Sequence, residues 1–132
     1  MTTNSPWKVL SSKEIYTNNW ISLTEHQVLN PSGGEGIYGE IHFKNFAIGV
    51  IPLDENYNTW LVGQYRFPLK AYSWEIIEGG GHLQTHPLAS AKRELQEESG
   101  ITAHQFLEIQ RMHLSNSVSD ELAIIYLSLI HI

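Results

Sequence analysis

Over the first half of the chain, apolar positions come in short runs separated by turn residues, and a helical spacing arises once, in the second half. Residues 9–16 and 20–28 are rich in Ile, Val, Leu, Tyr and Trp, with Asn18-Asn19 between them as a turn, so both stretches predict strands. The densest turn signal of this half, Asn30-Pro31-Ser32-Gly33-Gly34-Glu35-Gly36, leads into a third strand at 37–43. Residues 46–53 are almost continuously apolar, as expected of a strand covered on both faces. After a polar loop at 54–58, residues 59–66 carry Trp60, Leu61 and Val62, and the two runs predict an antiparallel hairpin.

Gly79-Gly80-Gly81 predicts a break in regular structure, and a helix follows over 87–99. Leu88, Ala91 and Leu95 lie at i, i+3 and i+7, which makes one apolar stripe. Pro87 suits the first helical turn, where its missing N–H is no loss. Gly100 stands where a left-handed terminator belongs. Two further runs, 109–114 and 122–130, predict closing strands. No repeat, low-complexity tract or linker interrupts residues 1–132, which read as a single α/β domain with a mixed sheet and at least one helix.

Composition narrows the function classes. The 132 residues are 42% apolar and 17% charged, enough for a core and unlike a disordered chain. Fourteen acids against eight bases give a net charge of −6, which argues against a nucleic-acid partner. A phosphorylated small molecule stays open, because a divalent cation reverses the local sign. With no cysteine there is no disulfide, thiolate nucleophile or Cys-based metal site. The first seven residues lack a basic stretch followed by an apolar run, and no run approaches the roughly 18 apolar residues of a membrane span. A cytoplasmic protein with no membrane partner is expected.

The helix carries the chemistry. Glu94, Glu97 and Glu98 stand at i, i+3 and i+4, so their carboxylates share one face and repel one another. A solvated acidic face accounts for such a pattern, and so does a site for a hard cation held by oxygens alone, Mg²⁺ or Mn²⁺. His82 and His86 are four residues apart, but no third nitrogen or sulfur ligand accompanies them as zinc would require.

Context favours the cation. Gly79, Arg93, Glu94, Leu95, Glu97, Glu98, Gly100 and Ile101 fill eight of the nine fixed positions of G-x5-E-x7-R-E-U-x-E-E-x-G-U, U being apolar. Residues 79–101 thus resemble the Nudix box. Trp7, Asn19-Trp20, the run 46–53, Gln64-Tyr65-Arg66 and Trp74-Glu75 resemble the ADP-ribose pyrophosphatase branch of that family, over about residues 7–130. The resemblance implies an α/β/α sandwich on a mixed sheet, and hydrolysis of the diphosphate in a nucleoside diphosphate derivative, ADP-ribose or another nucleotide sugar. It implies Glu94, Glu97, Glu98 and the carbonyl of Glu78 as ligands of Mg²⁺ or Mn²⁺, with Glu97 and Glu98 catalytic. It further implies Arg66 and Glu75 at the substrate, and Glu121, in the loop 115–121, as a catalytic or substrate-contacting acid.

The chain departs from the pattern twice. Thr85 stands where the box has a glutamate that commonly pairs with the arginine at 93; its hydroxyl can cap the helix but cannot balance that charge. The sequence also reaches Ile132 without the C-terminal helix usual in this branch, so the expectation is a sandwich lacking that helix, with an apolar face for a partner to bury. A homodimer built through the N-terminal strands of residues 1–45 is the expected remedy. The rival expectation is a catalytically impaired Nudix domain that binds nucleotides or regulates.

Overall fold

The computed structural model describes residues 4–130. They form two compact units, one of residues up to Lys44 together with Ser115–Glu121, the other of Asn45–Leu114 and the residues from Leu122 onward.

In the first unit three antiparallel strands, β1 (Lys8–Thr17), β2 (Ile21–Leu29) and β3 (Glu35–Phe43), lie in chain order. Asn18 makes the first turn, its side-chain oxygen accepting from the N–H groups of Trp20 and Ile21 at 2.8 and 2.9 Å. Asn30 does the same for the second, accepting from Ser32 and Gly34, and Gly33 takes the positive φ of 88° that the turn requires. The segment Ser115–Glu121 is laced onto β3: Ile41 donates to the Val118 carbonyl, and Asp120 accepts from the Phe43 N–H at 2.8 Å and faces the His42 Nδ1 at 2.6 Å. Every residue of β1 is exposed.

The second unit is built on a mixed four-stranded sheet, order β7-β4-β9-β8, where β4 is Asn45–Leu53, β7 Ile77–His82, β8 Gln105–His113 and β9 Leu122–Leu129. A separate two-stranded ribbon pairs β5 (Val62–Arg66) with β6 (Ala71–Glu75). The expected hairpin of 46–53 with 59–66 is therefore corrected. The β4 strand pairs antiparallel with β7 and parallel with β9, and β5 pairs with β6 instead. A strand so apolar is most favourably placed centrally, with both edges paired, and a neighbour close in sequence offers only one of them. The glycine run is corrected as well: Gly79, Gly80 and Gly81 lie within β7, not at a break.

The helix α1 spans Pro87–Ser99, as expected, with Ser90, Ala91 and Leu95 buried against the sheet. Gly100 ends it at φ 72°, donating its N–H to the Gln96 carbonyl. The N-cap is His86, not Thr85: its Nδ1 accepts from the Leu88 N–H at 3.2 Å. Ile48, Val50, Ile77, Ala91, Leu95, Ile124 and Tyr126 form the core between helix and sheet. A buried aliphatic side chain there contributes about 1.5–3 kcal/mol. Among the described residues no helix is long and apolar enough to cross a membrane.

Candidate active site

Strand β7 and helix α1 approach closely because β7 is glycine-rich. A Cβ on Gly79 would lie 2.0 Å from the Glu94 carboxyl carbon, so the absent side chain is the seat of the Glu94 carboxylate. A Cβ on Gly81 would fall 2.9 Å from Ser90 Oγ and 3.1 Å from Ile48, which lets the helix start press on the strand. Glycine in a strand costs conformational entropy, and close approach is what offsets it here.

Glu94 is well shielded, its side chain 13% exposed, and accepts from Arg93 Nη2 at 3.1 Å. The same Arg93 nitrogen donates to the Gly80 carbonyl at 2.9 Å, and its Nε lies 3.8 Å from Glu97. With Thr85 in the box, the arginine has thus settled on two acids of the candidate ligand set and on the backbone of β7. Glu97 remains 61% exposed, at the rim.

Glu98 lies on the other side of the cluster. Burial pushes its carboxyl above the ordinary range; a bond from the Glu78 N–H opposes this, and the charge of Glu94 adds to it. Glu78 is likewise pushed up by burial and then by Glu75, against the pull of Arg66. Desolvated acids that repel one another are the arrangement expected around a counter-charge.

Part of that counter-charge is Arg66, at the end of β5. Its Nε donates to both Glu75 oxygens, at 3.1 and 2.8 Å, and its Nη2 donates to Glu75 at 2.6 Å and to Glu78 at 3.2 Å. Glu75 belongs to β6, whose pairing sets Val62 opposite it and Arg66 opposite Ala71. Gln64, from β5, donates to Glu75 at 3.1 Å. The bond from Arg66, before any other cause, holds Glu75 below the usual carboxylate range, and the same bond raises Arg66. Glu75 therefore orients the arginine, and its oxygens are taken.

The structure thus brings together Arg66, Glu75, Glu78, Glu94 and Glu98, with Glu97 beside them. Glu121 belongs to the first unit, where it is partly buried, with burial and the neighbouring Asp120 pushing its carboxyl up. Two contributions were not read from the sequence. The Gly80 carbonyl is the anchor of Arg93, and the Glu78 side chain, in addition to its backbone, belongs to the cluster; its place just before Gly79 was the available signal.

Among the described residues no three Asp, Glu or His side chains form a ready-made ligand group. The donors present are nevertheless oxygens alone: the shielded Glu94, the more exposed Glu98, and strand carbonyls beside a glycine that clears room for Glu94. That set fits Mg²⁺ or Mn²⁺ and not zinc.

Residues 44–127 match the NUDIX domain, and residues 7–39 match the nucleoside diphosphate sugar hydrolase N-terminal domain. The chain belongs to the NUDIX family. The two matches divide near residue 44, where the first structural unit gives way to the second. This NUDIX chain is 28% identical over 123 residues to the ADP-ribose pyrophosphatase of Mycobacterium tuberculosis and 28% over 121 residues to that of Bacillus subtilis. It is 27% identical over 121 residues to the methanol dehydrogenase activator of Bacillus methanolicus. Each match covers 92% of this chain but only 59%, 65% and 65% of the respective relative. The crystal structure of an ADP compounds hydrolase superposes with a TM-score of 0.84 at 15% identity, covering 98% of this chain and 70% of the other, so the NUDIX fold is shared.

Proposed function

We propose that this NUDIX chain is a metal-dependent pyrophosphohydrolase that cleaves the diphosphate of a nucleoside diphosphate derivative, ADP-ribose or another nucleotide sugar. One observation carries the reading: a guanidinium oriented by a shielded carboxylate stands in the same cluster as a further shielded glutamate, Glu94, and beside Glu98. The family match and the names of the relatives support it.

Glu94, Glu98 and the Glu78 carbonyl would hold Mg²⁺ or Mn²⁺, with Glu97 assisting from the rim. Bound there, the ion neutralises diphosphate oxygens and lowers the pKa of water. Arg66 presents a cation already aligned by Glu75, so little side-chain entropy is lost when a phosphate docks. Glu98, disfavoured as an anion by partial burial and by the charge of Glu94, would gain from a cation. Glu121 is assigned to the substrate side. The same reading includes a homodimer, supported by the apolar side chains exposed on β1 and on the β5–β6 ribbon, where Phe67 is 83% and Trp74 68% exposed, and it places the protein in the cytoplasm.

The test is AMP release from ADP-ribose and a panel of nucleotide sugars with Mg²⁺ or Mn²⁺, with calorimetric titration of the metal. Wild type is expected to turn over in a metal-dependent way, and Glu98→Gln to lose both turnover and metal affinity. Full Mg²⁺-dependent turnover by Glu98→Gln overturns the assignment. Nucleotide binding without AMP release by wild type establishes the non-catalytic alternative, which the diversion of Arg93 onto Glu94 favours.

A further inference from the structure

A guanidinium has two edges that can each grip an anion with a pair of N–H groups, one made by Nε and Nη2, the other by Nη1 and Nη2. On Arg66 the first edge is filled by Glu75, which accepts from Nε on both oxygens, at 3.1 and 2.8 Å, and from Nη2 at 2.6 Å. The second edge is met by Glu78 through one bond from Nη2 at 3.2 Å. The two carboxylates are held very differently. The Glu75 side chain is 11% exposed and also accepts from Gln64 at 3.1 Å and from Ser73. The Glu78 side chain is 45% exposed. Its backbone, by contrast, is fixed, because residue 78 stands opposite Gly49 in the β4–β7 pairing and its N–H donates to Glu98. The side chain can therefore leave Arg66 without moving the strand or the carbonyl assigned to the cation.

We propose that the Glu78 carboxylate is a resident counter-ion that a substrate phosphate displaces from Arg66, so that phosphate binding at this edge exchanges one anion for another. The inference rests on the pyrophosphohydrolase reading and gives a role to a side chain for which the resemblance implies only a backbone one. A phosphate offers two oxygens to the Nη1–Nη2 edge, where Glu78 takes a single N–H, so the fork it makes is the stronger contact. The released carboxylate is nearly half exposed already and regains water at little cost. Glu75 keeps the guanidinium plane in place during the exchange, since its bonds lie on the other edge. An anion that can make only one bond gains nothing over Glu78 and is turned away. A half-exposed ion pair of this kind changes an equilibrium constant by up to about fivefold, which sets the size of the effect.

The test is a chemical-shift titration of the intact chain with AMP in the absence of divalent cations, which reads Arg66 apart from the cation site and from turnover. Glu78→Gln is expected to tighten AMP about three- to fivefold. Glu78→Asp keeps the charge but draws the carboxylate back by one C–C bond from a contact already at 3.2 Å, beyond hydrogen-bond reach. It is expected to recover most of the same gain. In an Arg66→Gln background, where AMP binds more weakly, the gain from Glu78→Gln is expected to fall below about twofold. Wild-type affinity in Glu78→Gln overturns the inference, as does an equal gain with and without Arg66. A Glu78→Asp chain that matches wild type while Glu78→Gln tightens overturns it too, because charge and not contact would then decide; so does AMP binding to none of these proteins. The predicted gains without AMP release from ADP-ribose sink the hydrolytic reading and leave the exchange standing; AMP release without those gains does the reverse.

Discussion

Gly79→Ala separates fold from chemistry. A Cβ at residue 79 would sit 2.0 Å from the Glu94 carboxyl carbon and 2.3 and 2.4 Å from its oxygens, where real contacts of a Cβ essentially never fall below 3.0 Å. The carboxylate must then retreat by about 1 Å or more, which is feasible because it is the far end of a flexible side chain. Gly79 is not among the residues of positive φ, so alanine brings no backbone strain. What stability is lost is the bond from the half-exposed Arg93, below about 1 kcal/mol, and alanine returns part of it by restricting the unfolded chain. The fold is therefore expected to hold within about 1 kcal/mol in urea titrations. A ligand displaced by 1 Å is a different matter, since misplacement of that size costs on the order of 100-fold in rate. AMP release from ADP-ribose is the assay, with calorimetric Mg²⁺ affinity as a second readout. Turnover and metal affinity both within twofold of wild type would refute the claim that Glu94 needs the space beside Gly79. Gly81→Ala is the control, because its Cβ would meet Ser90 and Ile48 in the packed interior; about 1–3 kcal/mol of destabilisation is expected there.

Three other outcomes are expected. Thr85→Glu gives Arg93 an alternative partner and should tighten Mg²⁺ binding severalfold; unchanged affinity would show that Arg93 does not compete for Glu94. Leu95→Ala, at 1% exposure in the core, should cost about 2–5 kcal/mol in denaturant titration. Asp120→Asn tests a pH-dependent clasp. Burial alone would raise the Asp120 carboxyl, but the bonds from His42 and the Phe43 N–H hold it below the ordinary value. A depressed carboxylate stabilises the fold above its unfolded value near 3.8, and that contribution disappears as the pH falls through the lower folded value. At about half exposure the effect is below about 1 kcal/mol, read as a shallower acid limb for Asp120→Asn when urea midpoints are compared at pH 7 and pH 3.

The helix was legible residue by residue. Leu88, Ala91 and Leu95 set its face, and Gly100 its end, because both signals act within a few residues of where they are written. The partner of β4 was not: the run 46–53 announces burial on both sides without saying which edge meets which strand, and half of the answer lies in β9. Gly79 to Gly81 misled for a related reason. Their low strand propensity is a local property, whereas the helix that presses on them is a tertiary one. In the cluster, the box motif singled out Glu94, Glu97 and Glu98 together, but only the packing separates the shielded Glu94 from the exposed Glu97. Nothing in the spacing of Arg66 and Glu75 announces the fork between them, which arises from the β5–β6 pairing.

The two units are interleaved along the chain, and this bears on how they are made. Ser115–Glu121 completes the first unit by pairing with β3, and Leu122–Leu129 supplies the central strand pair of the second, Ala47 meeting Ala123 76 residues on. During synthesis β1 to β3 emerge first yet wait for a segment that follows β8, and β4 keeps one edge open until β9 arrives. Until then the nascent chain carries an apolar strand with an unfilled side, and it is the segment from Ser115 through β9 that closes both units at once.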